Sequence, residues 1–263
     1  VIRILFVNAV SDRDSAELLK TGIKRGLETS QHLKKLEKAI ELVSFDCLQE
    51  GGRCPSEMYD FAKSAAQENP LHAVILSGSK KNTTDKDDPW VAKYLTGLKA
   101  LLNYSESSET PWAGPRFPTL GICFGHQAIA VALGGETKRF KRNVALLDLE
   151  ILEAARTHEL YARLLENKKE LNVLVTHSDH VIQMPPGFKQ TFRSDYCEIQ
   201  GMVHEKFQIA SLQSHPEITE EFSKSPHGLE GWKNIDHEKV KDHQGPYILG
   251  AFLDWATKSL PKS

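Results

Sequence analysis

Short apolar runs alternate with longer stretches of helical periodicity along this chain, and that alternation constrains its fold more than any other feature. Ile2–Val7 and Ala73–Leu76 are apolar at nearly every position, with Ile40–Phe45 and Thr119–Ile122 close behind. A strand without a polar face must be covered on both sides, as happens in parallel sheets sandwiched between helices. The segments in between can supply those helices. Asp14–Glu28 carries Ala16, Leu18, Leu19, Ile23 and Leu27 on one helical face. Ser56–Asn69 predicts a second helix, with Ser56 as N-cap and Glu57 in the first turn. Pro89–Leu102 predicts a third with proline at its first position, and Gly125–Leu133 a fourth stopped by Gly134-Gly135. An α/β fold with a largely parallel sheet is the expectation.

The second half is less regular. Strands are predicted at Val144–Leu152, Val173–Thr176, Val181–Gln183, Ile199–Val203 and Phe207–Leu212. Helices are predicted near Tyr161–Leu165, after Glu217 to about Lys224, and over Tyr247–Lys258. Residues 103–118, rich in Ser, Glu and Pro, and the polar stretch 225–246 read as surface loops. Nothing resembles a linker between two folded halves, so residues 1–263 are expected to form one domain.

Composition narrows the function. With 40% hydrophobic and 26% charged residues, a largely disordered chain is excluded. A net charge of −2 offers no electrostatic case for nucleic acid or an anionic membrane surface. No apolar run approaches the roughly 18 residues needed to span a bilayer. The apolar start contains Arg3 and runs into Ser11-Asp12-Arg13-Asp14, which favours a first strand over a signal peptide. Four scattered cysteines (Cys47, Cys54, Cys123, Cys197) make no disulfide framework and no CxxC pair, so the expected compartment is the reducing cytoplasm. His227, His237 and His243 lack ligand spacing, and no metal site is expected.

Two motifs carry chemistry. Gly121-Ile122-Cys123-Phe124-Gly125 follows a strand and opens a helix, a nucleophile elbow with cysteine in the nucleophile position. Such a turn lifts the side chain clear of the sheet, and a helix starting at the sulfur stabilises a thiolate through its N–H groups. On this motif alone, a buried structural cysteine at a strand end explains the residue equally well. Downstream lies Ser214-His215-Pro216-Glu217. There His215 could accept and return a proton while Glu217 holds its tautomer. On its own, that segment reads as a capped helix start with an incidental histidine.

Together, GICFGHQ at residues 121–127 and the HPE at residues 215–217 resemble the two signature motifs of the class I glutamine amidotransferase family. The resemblance covers most of the chain. It implies a flavodoxin-like three-layer sandwich and a Cys123–His215–Glu217 triad. It also implies an oxyanion hole from the backbone N–H groups of Phe124 and Gly78, although a strand-end turn would need a glycine at position 78 anyway. Gln127 matches a position that touches the substrate's amino-acid end. His177 and Ser178 fall where relatives line the substrate, while a turn at a strand end would use the same residues. No cofactor is implied.

Departures from the family pattern point to a branch. Gly78-Ser79-Lys80 stands where ammonia donors carry Gly-Gly-Pro, and Ser214 where they carry an aromatic. The run Leu76-Ser77-Gly78-Ser79, followed by Asp88-Pro89-Trp90, looks closer to the free-standing γ-glutamyl peptidase-like branch of plants and fungi. The expectation is therefore a cysteine hydrolase of a small γ-glutamyl substrate, with Ser214 leaving room for a large leaving group. The alternatives are a glutaminase subunit feeding ammonia to a separate synthetase partner, and a non-catalytic binding relative. The basic cluster Lys138, Arg139, Lys141 and Arg142 reads as solvated surface, with an acidic substrate tail or a partner as the alternative, and Trp90 and Trp112 as half-buried packing or the edge of a pocket.

Overall fold

The computed structural model describes residues 1–36, 39–104, 114–225 and 235–258. Among these, nine strands form one sheet: β1 (Ile2–Asn8), β2 (Ile40–Asp46), β3 (Ala73–Leu76), β4 (Thr119–Ile122), β5 (Glu136–Ile151), β6 (Glu170–Gln183), β7 (Phe188–Arg193), β8 (Gly201–His204) and β9 (Ile209–Leu212). Their spatial order is β2-β1-β3-β4-β9-β8-β7-β5-β6. The first five strands in that order pair in parallel, which is the 2-1-3-4-5 arrangement of a flavodoxin-like sheet. Beyond β9 every pairing is antiparallel.

The apolar character of β1 follows from its two covered faces. Ile2, Ile4 and Phe6 pack with Ile23 and Leu27 of α1 (Arg13–Leu27) and with Ile248, Leu249 and Phe252 of α9 (Gly245–Ala256). Leu5 and Val7 point the other way. They join Met58 and Ala62 of α3 (Met58–Glu68), Tyr94 and Leu98 of α4 (Pro89–Leu101), and Ile129 of α5 (Phe124–Ala132). Period-two alternation thus sends consecutive apolar residues into two cores. Asp12 caps α1 by accepting from the Ser15 N–H, and Asp88 caps α4 by accepting from Trp90 N–H, with Pro89 in the first turn as expected.

Several expectations need correction. Ser56 caps no α-helix: Pro55–Glu57 is a 3₁₀ turn, Ser56 Oγ lies 3.1 Å from Cys54 Sγ, and α3 starts at Met58. The two short strands expected at Val173–Thr176 and Val181–Gln183 are one, β6. Its partner β5 starts at Glu136 rather than Val144, through residues that are mostly exposed and hold strand geometry by pairing. Residues 161–165 form turns instead of a helix, with Tyr161 and Leu165 in the core; helix α6 (Glu153–Thr157) precedes them. Strand β7 and α2 (Gln31–Leu36) were not foreseen.

Of the expected loop 103–118, residues 105–113 lie outside the described residues. The described part of 225–246 is at the surface for most of its residues but is not a plain loop. It holds α8 (His237–Val240) and buries Ile235, Val240 and His243. Helix α7 (Glu220–Lys224) is capped by the Thr219 hydroxyl. Among the described residues no helix is long and apolar enough to cross a membrane.

Candidate active site

The carboxyl ends of β3, β4 and β9 converge next to the switch point of the parallel sheet, the place where ligands bind in open α/β folds. Cys123 leaves β4 there with φ 50° and ψ −101°, a strained conformation for a residue with a Cβ. Its N–H still donates to Leu212 O at 2.8 Å, continuing the ladder with β9. The flanking glycines are required sterically. A Cβ on Gly121 would lie 2.7 Å from Gly125 O, and one on Gly125 would lie 2.7 Å from Leu76 O. The elbow therefore packs directly on β3, and α5 starts at Phe124, whose N–H has no acceptor within its own helix.

Gly78 follows β3 against the same cysteine. A Cβ on Gly78 would meet His215 Cε1 at 2.9 Å and Cys123 Cβ at 3.6 Å. His215 follows β9, anchored by its N–H donating to Leu174 O at 2.8 Å. Its Nδ1 lies 2.9 Å from Glu217 Oε1, with both side chains buried, while Nε2 has no partner among the described residues. Burial alone would press the His215 pKa down. The Cys123 sulfur and Glu217 carboxylate beside it outweigh that and hold it well above the ordinary imidazole value.

A cavity of about 260 Å³ opens over these groups, lined by Gly78, Cys123, Gln127, His177, Ser178, His215 and Glu217 among others. Every site residue singled out in the sequence lines it except Phe124. The Phe124 ring instead packs 5.0 Å from the Tyr94 ring and 5.8 Å from that of Trp90. Gln127 is buried, its amide donating to Asp179 O at 2.7 Å and Gln213 Oε1 at 3.2 Å. His177 and Ser178 lie within β6, not in a strand-end turn. Burial, with the neighbouring histidines His180, His215 and His126, keeps the His177 pKa well below the usual imidazole range.

Other expectations fail here. Ser214 is fully buried and does not line the cavity, so its small side chain makes no room for a leaving group. Trp90 is half-buried packing, as expected, and not a pocket edge: it packs against the core, and its Nε1–H donates to Cys47 O at 2.7 Å. Trp112 lies outside the described residues. The basic cluster is only partly solvated surface. Arg139 Nε donates to the buried Asp179 Oδ1 at 3.0 Å, and Arg142, also a lining residue, donates to Thr176 Oγ1 at 3.2 Å.

Sequence reasoning missed three supporting residues. Gln213 Nε2 lies 3.6 Å from Cys123 Sγ. The Asp179 carboxylate accepts from Thr84 N–H and Oγ1, tying the segment after β3 to β6. His126 bridges α5 to Ser211 Oγ at 2.8 Å and Ile199 O at 3.3 Å. Gln213 and His126 stand inside or beside the two motifs, and Asp179 directly follows the substrate-lining candidates His177 and Ser178.

The family model for glutamine amidotransferase class-I matches residues 53–230, more than half of the chain. Among curated relatives, one of the subunits of a glutamine-hydrolysing GMP synthase from Pyrococcus abyssi is 39% identical over 121 residues, 46% of this chain and 57% of that protein. Its counterpart from Thermococcus kodakarensis is 36% identical over 119 residues, 45% of this chain and 58% of that protein. A Saccharomyces cerevisiae protein named as a glutamine amidotransferase is 27% identical over 200 residues, 74% of this chain and 70% of its own. The chain thus spans little more than half the length of the first two relatives. A glutamine amidotransferase structure from Thermotoga maritima superposes with a TM-score of 0.63 at 17% identity, covering 98% of this chain and 99% of that one. At that identity the likeness speaks for the fold alone.

Proposed function

Because this chain belongs to the class I glutamine amidotransferase family, we propose that it is a cysteine hydrolase that cleaves a γ-glutamyl amide through a γ-glutamyl thioester. One observation carries the reading. The strained Cys123 elbow, the His215–Glu217 pair and Gly78 meet at the carboxyl ends of three adjacent parts of the sheet, under one cavity.

In the proposed sequence His215 takes the Cys123 thiol proton, the sulfur attacks the γ-carbonyl carbon, and the carbonyl π electrons move onto oxygen. The Phe124 and Gly78 N–H groups receive that oxyanion. As the tetrahedral adduct collapses, the C–N bond breaks and protonated His215 delivers its proton to the departing amine. Water then attacks the thioester, giving its proton to His215, and the thiol regains that proton as glutamate leaves. Glu217 orients His215 and stabilises its charged form without exchanging protons with substrate. Gln127, His177 and Ser178 form the wall for the glutamyl amino-acid end, with Arg142 as the cation for a substrate carboxylate. The four free thiols suit a reducing cytoplasm.

Two leaving groups separate the finer readings. The cationic Lys80 and Arg142 along the cavity favour a γ-glutamyl peptide, whose leaving amine carries its own carboxylate. The relatives named as GMP synthase subunits favour glutamine, with ammonia passed to a synthetase partner. Glutamate release from glutamine, glutathione and a γ-glutamyl dipeptide panel decides between them. Faster turnover of peptides supports the first reading, and faster turnover of glutamine the second. No glutamate from any of them, by wild type that binds them, overturns the hydrolase assignment.

A further inference from the structure

Behind the His177 side of the cavity, two buried side chains outside the proposed chemistry approach that histidine. His180 lies on β6, and Cys197 on the connection between β7 and β8. His177, His180 and Cys197 are 4%, 5% and 1% exposed. One imidazole nitrogen from each histidine and the thiol sulfur all lie within 4.8 Å of one another.

Regular strand geometry would prevent this meeting, because residues three apart on a strand face opposite sides. The β5–β6 ladder is irregular at this point. Asp179 pairs with Arg139 and His177 with Asn143, so residues 140–142 stand opposite Ser178 alone. The two imidazoles end with ring centroids 4.9 Å apart. The Tyr196 ring closes against both, and Phe140 stacks on His180 at 4.5 Å.

The Cys197 thiol donates to Ile199 O at 3.6 Å, but the histidines are less well satisfied. Both ring nitrogens of His177 and Nε2 of His180 are buried with no hydrogen-bond partner among the described residues. Buried polar atoms in folded proteins are nearly always paired, so three orphaned nitrogens in one cluster point to a ligand.

We propose that His177, His180 and Cys197 bind a divalent cation of the zinc class. Two imidazoles and a thiolate form a borderline-soft donor set, suited to zinc and poorly suited to the oxygen-seeking magnesium or calcium. Zinc bonds of roughly 2.0–2.3 Å place tetrahedral donors roughly 3.3–3.7 Å apart. The side chains therefore close by about 1 Å from their widest spacing on binding, with Cys197 releasing its proton to buffer. A fourth position remains for water or an added ligand. His177 also lines the cavity beside Cys123, so occupancy sets the orientation of that wall. The site stands whether or not the hydrolase reading does.

Metal binding by the full chain tests this, in a Cys123→Ser background that removes the thiol facing His215. Equilibrium dialysis should find one tightly held zinc per chain, and cobalt should add a thiolate-to-metal charge-transfer band. Adding Cys197→Ser should abolish the band. Adding His180→Ala should weaken zinc binding by more than the roughly 10–100-fold that loss of a ligand's supporting group costs. Unchanged circular dichroism would show that both variants fold, and either alone suffices for the test. Three results overturn the proposal: no zinc retained, loss of binding on Cys123→Ser alone, or a cobalt band that survives Cys197→Ser.

Discussion

His126 gives the most quantitative test of how the elbow helix is held. It is fully buried in α5, between Ser211 Oγ and Ile199 O, and burial pushes its pKa down from 6.5 to about 3. The folded pKa lies below the unfolded one, so between those values the unfolded chain binds more protons. The resulting stability is complete above about pH 6.5 and is lost as pH falls toward 3. At pH 4.5 the unfolded imidazole sits about two units below its pKa while the buried one is still neutral. At about 1.36 kcal/mol per unit, His126 alone then costs roughly 3 kcal/mol of stability relative to pH 7.5. His126→Gln cannot titrate. At pH 7.5 it should lose about 1–2 kcal/mol through poorer hydrogen bonding. Between pH 7.5 and 4.5 it should then lose roughly 3 kcal/mol less than wild type. Urea unfolding followed by tryptophan fluorescence at both pH values reads this directly. His204 and His243, also lowered by burial, steepen both curves, so the difference isolates His126. Equal losses in the two proteins would refute the linkage.

Three further outcomes concern the chemistry. Cys123→Ala and His215→Ala should each abolish single-turnover glutamate release, whereas Glu217→Ala should leave about a hundredfold more residual rate; equal, mild losses would place the chemistry elsewhere. Gly78→Ala drives a Cβ to 2.9 Å from His215 Cε1, so kcat should fall by about 10²-fold or more with little change in melting temperature; full activity would remove Gly78 from the oxyanion hole. A glutamine-like chloroketone should alkylate Cys123, and glutamine should protect it. Cys47 and Cys197 should stay unlabelled, because burial pushes both thiols up to about 12, whereas the partly exposed Cys54, lowered by its hydrogen bond with Ser56, is the expected site of unprotected background; peptide mass mapping separates them.

Much of the parallel half was legible because its signals are local. The β1, β3 and β4 runs, the Asp88-Pro89 helix start and the strand–GICFG–helix turn each depend on residues adjacent in the chain. The antiparallel half was not. Glu136–Asn143 are mostly exposed polar residues that become strand only because β6 supplies hydrogen-bond partners, and no local pattern announces such pairing. Ser214 failed for a related reason: its place in the motif was plain, but which way it faces depends on what packs around β9. Gly22 is a comparable case. A Cβ there would come within 1.8 Å of Glu217 O, so α1 packs on the backbone of the HPE segment through a residue that looks like any mid-helix glycine.

The sequence by itself determined the alternation of strands and helices and the elbow that places Cys123 at a helix start. Both are set by backbone propensity and spacing over a few residues, whereas the pairing of His215 with Glu217 was implied only by the resemblance of the two motifs to a family. Only the tertiary structure decided that Gly78 abuts both His215 and Cys123, that Gln213 reaches the sulfur, and that Asp179 ties the segment after β3 to β6. It alone brought His177, His180 and Cys197 together, beside the point where the β5–β6 ladder is irregular. Such contacts join residues far apart in the chain. Their existence depends on how strands stack and where a ladder slips, and neither is written in any short stretch of sequence.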